Sequence, residues 1–137
     1  MSDRTRDLGI LIIRIGIGAM FMMHGWPKLT GGLRTWTKLG GAMRHVGIDL
    51  WPQFWGFMAA ISECGGGLLL AVGLLFRPAT TCLLVTMIVA AAMHLRSGDS
   101  LMESSHAIEA AFVFLGLLLI GPGRYAIEVR IKSGQNN

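Results

Sequence analysis

The stretch from Phe54 to Phe76, FWGFMAAISECGGGLLLAVGLLF, constrains this chain more than any other. About 20 apolar residues in a helix cross the roughly 30 Å hydrocarbon layer of a membrane, and this run is that long. Glu63 stands near its middle. An acidic group at that depth costs about 2.5 to 3.5 kcal/mol on insertion scales, so Glu63 must face other helices and be protonated, ion-paired or hydrogen-bonded. Ala59 and Gly67 lie one turn before and after it on the same stripe, and such small residues let a neighbouring helix come close.

The rest of the composition agrees. Of 137 residues, 53% are hydrophobic and 15% charged, with a mean hydropathy of +0.56, where soluble domains carry about 25% charged residues. The length allows one domain, residues 1–137. A pI near 9.7 raises nucleic acid as a partner. The basic residues are scattered over loops and ends without a stripe or binding motif, which argues against it. Cys64 and Cys82 have neither CxxC nor Cys/His ligand spacing and read as buried free thiols.

Taken in order, the chain predicts an all-α, integral membrane four-helix bundle with spans at about 8–26, 54–76, 78–94 and 106–121. The first lacks a signal-peptidase site and stays in the protein. Arg14 interrupts it, and Trp26-Pro27 is expected to break it. Residues 31–52 carry Leu33, Trp36, Met43 and Val46 at helical spacing against Arg34, Lys38, Arg44 and His45. That is the pattern of an amphipathic segment lying in the headgroup plane, interrupted at Gly40-Gly41. An ordinary polar loop with interfacial tryptophans is the plainer alternative. Pro78 suits the first turn of the third span, Ser104-Ser105 is expected to cap the fourth, and Gly121-Pro122-Gly123 to end it.

Four spans put both termini on one side. That side has Arg4, Arg6, Arg77, Arg124, Arg130 and Lys132; the other has Lys28, Arg34, Lys38, Arg44 and Arg96. The terminal-side segments are shorter and denser in charge, so the termini are expected in the cytoplasm. His24, His94 and His106 then fall together at the opposite end. Glu109 lies a turn beyond His106, and Glu63 deeper. The expected result is a polar pocket of His24, Glu63, His106 and Glu109, with Phe21, Met22 and Phe112 near it, the amphipathic segment across its entrance, and Arg14 paired with Glu63. A purely structural reading competes, in which Arg14 locks the fold by pairing with Glu63 or Glu109 and each histidine hydrogen-bonds at an interface. Haem or metal ligation is the weaker chemical reading, since CxxCH, HExxH and paired ExxH motifs are absent. No metal site is expected, and a quinone is preferred as the ligand.

LIIRIGIGAMFMMHGWPKL, Leu11–Leu29, resembles the first-helix signature of the DoxX family, with an Arg inside the helix and an HG-x-x-K ending, here Arg14, His24, Gly25 and Lys28. ISECGGGLLLAVGLLFRPAT, Ile61–Thr80, resembles its second signature, a Glu before a Gly-rich run and a Gly-x-x-x-Arg ending, here Glu63, Gly73 and Arg77. The resemblance implies a four-helix bacterial or archaeal plasma-membrane protein linked to membrane redox work. It includes a subunit of an archaeal thiosulfate:quinone oxidoreductase, relatives of methylamine-utilisation membrane proteins, and a membrane partner of secreted thiol-handling and superoxide-detoxifying proteins. It carries no catalytic set, so the catalytic residues are unassigned.

Two functions follow as expectations. One is a small membrane subunit supporting quinone-linked electron transfer within a larger assembly of membrane subunits. The other is a non-catalytic scaffold or assembly subunit. A transporter ranks third, because an inverted-repeat carrier of four helices would need a dimer.

Overall fold

The computed structural model describes residues 3–128, and among these every regular element is helical. Helix α1 is Asp3–Thr30. A short amphipathic α2, Gly32–Gly40, follows, then a 3-10 turn at Gly41–Val46. Helix α3 is Pro52–Val72, α4 is Phe76–Ser97 and α5 is Leu101–Ile120. Four of these, α1, α3, α4 and α5, are long and apolar enough to cross a membrane, which makes the chain a multi-pass membrane protein of the expected class. The end holding the start of α1 and the end of α5 is called the terminal end here, and the other the distal end.

The spans differ in their boundaries from the expected ones, each for a local reason. Helix α1 runs through Pro27. A proline there removes only one backbone bond near the helix end, a loss that membrane helices tolerate. Helix α3 stops at Val72 rather than Phe76, because Gly73 turns left-handed (φ 71°) and its N–H bonds back to the Leu69 carbonyl at 2.9 Å. Helix α4 opens at Phe76, whose N–H donates to Glu128 Oε2 at 3.0 Å. Helix α5 begins five residues before the expected start. Its cap is Ser100, not Ser104-Ser105: the Ser100 hydroxyl and Glu103 form a reciprocal capping box.

Lipid is as apolar as leucine, so close packing rather than water exclusion holds these helices together. Where α1 crosses α3 the backbones nearly touch. A Cβ on Gly18 would lie 2.5 Å from the Gly67 carbonyl oxygen, one on Gly67 would lie 2.7 Å from that of Gly18, and one on Gly25 would overlap the Cys64 backbone. Leu70, Phe76, Leu83, Met87, Phe114 and Leu117 fill the centre. Phe21 meets Phe114 edge-to-face at 4.9 Å, a contact worth about 0.5 to 1.5 kcal/mol beyond area. The outer surface is a shell of exposed aliphatic and aromatic side chains such as Ile12, Met23, Phe112 and Leu119. Cys64 is half-buried, but Cys82, expected inside, faces outward on α4.

Helix α2 packs on the first turns of α3. The Trp36 and Phe57 rings meet at 4.9 Å, and Trp36 Nε1 donates to the Lys28 carbonyl at 3.0 Å. The interruption at Gly40-Gly41 is as expected. Leu33, Leu50 and Trp51 remain exposed beside Arg34 and Lys38, the character of an interfacial element.

Gly67→Ala should lower the thermal midpoint in detergent by several degrees, because the α1–α3 contact must open. Gly16→Ala, where an added Cβ meets nothing within 4 Å, should leave it unchanged. Equal midpoints for the two variants would show that the crossing does not govern stability.

Candidate functional site

Helix α3 widens into a single π turn at Ser62–Gly66. The three consecutive glycines Gly65, Gly66 and Gly67 leave little side-chain packing to oppose such a turn, and π turns recur at functional sites. Glu63 sits in it, 4% exposed. Its partner is Lys28, whose Nζ lies 2.8 Å from Oε1 and 2.6 Å from Oε2.

This corrects the expected Arg14–Glu63 pair. Side chains lean toward the N-terminus of their own helix. Lys28, at the distal end of α1, therefore leans into the bundle, and Glu63, on the returning α3, leans toward the distal end. They meet. Arg14, on the same helix as Lys28, also leans toward the terminal end, which takes it away from Glu63. Only 1% exposed, it donates from Nε to the Leu70 carbonyl at 3.0 Å, from Nη2 to Ala71 at 3.0 Å and from Nη1 to Pro122 at 2.7 Å. Leu70 and Ala71 belong to the last turn of α3, where the helical ladder ends, the Leu70 carbonyl also taking the Gly73 N–H at 3.2 Å, and where the helix dipole favours a cation. Arg14 thus answers a helix end rather than a carboxylate.

A cavity of about 210 Å³ opens beside the Lys28–Glu63 pair. Its walls bring together residues from α1, α3, α4 and α5: Phe21, His24 and Lys28; Glu63; Met87 and His94; Glu103 and His106. His24 and His106 are exposed, their rings 5.7 Å apart, and His106 stacks on Phe21 at 6.3 Å. His24 Nδ1 donates to the Met20 carbonyl at 2.8 Å, and His94 Nδ1 lies 2.7 Å from Asp99 Oδ2. In both rings the occupied Nδ1 leaves Nε2 as the nitrogen available to a ligand.

Of the expected pocket residues, the structure gathers His24, Glu63 and His106 around one cavity. Glu109 does not belong to it: it sits on an exposed face of α5. Phe112 faces outward as well, at 70% exposed, and Met22 does not line the cavity. Neither does any residue of the amphipathic segment, which packs on α3 instead of crossing the entrance. Lys28, His94 and Glu103 are the additions. Lys28 stood in the signature and His94 was already placed at the distal end. Glu103 could have been found from its spacing after Ser100, the capping-box pattern. Among the described residues no three His, Cys, Asp or Glu side chains are arranged to hold a metal ion.

One ammonium, three imidazoles and two carboxylates line the cavity together with the apolar Phe21, Met87, Ala90 and Ala107. Lys28→Met and Glu63→Gln should each reduce the yield of folded protein, and the double variant should lose less than the sum. A coupling of roughly 0.5 to 3 kcal/mol is typical of residues in contact. The Arg14→Leu, Glu63→Gln pair should instead be additive. A coupled Arg14–Glu63 cycle with an additive Lys28–Glu63 cycle would reverse the assignment.

The family model for DoxX matches residues 9–96, a span holding Arg14, Gly25, Lys28 and Glu63 and stopping short of α5. The chain is also similar to the Inner membrane protein YqjF of Escherichia coli (strain K12), 31% identical over 131 residues that cover 91% of this chain and 93% of that protein. No solved structure matches. With its family match over more than half its length and this full-length relative, the chain belongs to the DoxX family.

Proposed function

We propose that this protein is a small membrane subunit supporting quinone-linked redox chemistry, with the distal cavity receiving the quinone headgroup. The observation that carries the reading is a cavity in which imidazoles, an ammonium and an aromatic wall converge within a membrane bundle. Its volume, about 210 Å³, lies below the roughly 300 to 1,000 Å³ of sites for drug-sized ligands, so it suits one small ring. Exposed His24 and His106 flank its open side between α1 and α5, a lateral route for a lipid-soluble ligand. Quinone–quinol interconversion moves two electrons and two protons. Imidazole exchanges protons near neutral pH, and the Lys28 ammonium suits an oxygen that gains negative charge. The electrons pass to a partner subunit's redox centre. A scaffold without chemistry is the second reading, favoured by the outward-facing Glu109.

Binding of a quinone analogue to the purified protein tests the first reading. His106→Ala and His24→Ala, each well folded, should weaken it at least tenfold, about 1.4 kcal/mol. Unchanged binding in both, or no saturable binding by the parent, would leave the scaffold.

The proposal extends to placement. The relative's name says inner membrane, and the terminal end carries Arg4, Arg6, Arg77 and Arg124 on short segments, so that end is assigned to the cytoplasm of a bacterial or archaeal cell. Arg130 and Lys132 lie outside the described residues. In a Cys64→Ala, Cys82→Ala background, an impermeant maleimide applied to intact cells should label Arg34→Cys and not Asp3→Cys. The reverse pattern would invert the orientation.

A further inference from the structure

What the side chains of the distal cavity already bond decides what they can offer a ligand. A backbone carbonyl only accepts, so the 2.8 Å contact between His24 Nδ1 and the Met20 carbonyl puts a proton on Nδ1. The neutral ring then carries a lone pair on Nε2. His94 repeats this on α4: its Nδ1 lies 2.7 Å from Oδ2 of the Asp99 carboxylate and is again the protonated nitrogen. Both rings line the cavity, from different helices. In the neutral form each presents a bare acceptor nitrogen.

Donors are scarcer among the described residues that line the cavity. The Lys28 ammonium has three protons, and Glu63 Oε1 and Oε2 take two of them. Glu103 Oε2 accepts from the Ser100 N–H and hydroxyl and adds no donor. His106 serves either role by tautomer. Asp99, meanwhile, is tied to His94 twice. Gly98 (φ 83°) closes α4, which lets the Asp99 N–H return to the His94 carbonyl at 3.1 Å while its carboxylate meets the ring of the same residue. Ser100, the next residue, caps α5. The turn between two helices thus fixes a carboxylate against one imidazole, and the carboxylate sets which nitrogen of that ring is free.

We propose that the distal cavity selects a ligand that donates hydrogen bonds, an aromatic ring bearing hydroxyl groups, with Nε2 of His24 and His94 as the accepting atoms and Asp99 as the positioning residue for His94. A quinol meets this requirement. A quinone does not, because its oxygens only accept, and against Nε2 a lone pair would meet a lone pair. The inference rests on the reading of the cavity as a site for a quinone-type ring, and names the oxidation state that the site prefers. It also ties selectivity to pH. Once protonated, both imidazoles donate from Nε2 and a carbonyl becomes the better partner. The other charged or titratable groups facing these rings are Lys28, Glu63, Glu103 and His106 on the cavity walls and Asp99 in the turn; of these side-chain types only the imidazole ordinarily changes charge near neutral pH.

Equilibrium binding to the purified full-length protein under argon tests this, with a short-chain alkylhydroquinone, the matching quinone and the matching hydroquinone dimethyl ether, which lacks the hydroxyl protons. At about pH 8 the hydroquinone should bind at least tenfold tighter than either of the others, and by about pH 5.5 that preference should have gone. Asp99→Ala should weaken hydroquinone binding at least tenfold at the higher pH and leave quinone binding unchanged, with circular dichroism as in the parent. In the same variant, histidine nitrogen-15 NMR should show His94 leaving the Nδ1–H tautomer while His24 keeps it. A quinone that binds as tightly as the hydroquinone at about pH 8 would overturn this inference and leave the ring site standing; no saturable binding of any of the three would overturn both. A preference that does not respond to pH, or an Asp99→Ala variant that keeps both the preference and the His94 tautomer, would also overturn it.

Discussion

The guanidinium of Arg14 pins the terminal half of the molecule. In a hydrocarbon environment backbone carbonyls at a helix end must find donors inside the protein, and the end of α3 presents such carbonyls. Arg14 reaches Leu70 and Ala71 there and Pro122 beyond α5, so one side chain joins the first span, the second span and the segment after the last. Gly73 follows from this. Its positive φ ends α3, and a side chain in its place would collide with the guanidinium. The nearby Glu128 adds a second tie, its carboxylate accepting from the N–H that opens α4 and its own N–H donating to the Gly73 carbonyl at 3.0 Å.

The distal half is built differently. Its polar groups are arranged around a cavity instead of being consumed by backbone, and the two halves are joined by the glycine-lined crossing of α1 and α3. Close approach of the two backbones brings Lys28 within reach of Glu63, and the π turn adds the extra residue that changes which face of α3 is presented beyond it. A fixed ion pair stands there beside three imidazoles, with Phe21 as an apolar wall. Trp36 steadies it from outside by holding the Lys28 carbonyl.

Two exposed residues of α5 face differently, His106 toward the cavity and Glu109 away from it. His106 stacks on Phe21, neighbours the His24 ring and lines the cavity. Glu109, three residues on, is rotated by about 60° and turns away from the cavity. That small rotation separates a residue that lines the cavity from one that does not.

Much of this was legible in the residues alone. Four long apolar runs can only be spanning helices, because no other open structure satisfies its backbone in lipid, and four spans put both termini on one side. The interfacial helix between the first two, the break at Gly40-Gly41, the Gly-Pro-Gly stop and the gathering of His24, His94 and His106 at one end followed from periodicity and topology. Partner choice did not follow. Depth alone matched Arg14 to Glu63. The tertiary structure decided otherwise, because side chains lean toward the start of their own helix and because a π turn, invisible in composition, sets the direction of Glu63. Glu109 went astray for a related reason: i+3 spacing places it near His106 but does not say on which side of that residue the bundle lies. Sequence determined which groups must be satisfied inside the membrane. Only the packing of helices against one another decided with whom, since that depends on rotation about each axis, and rotation is fixed by contacts far apart in the chain.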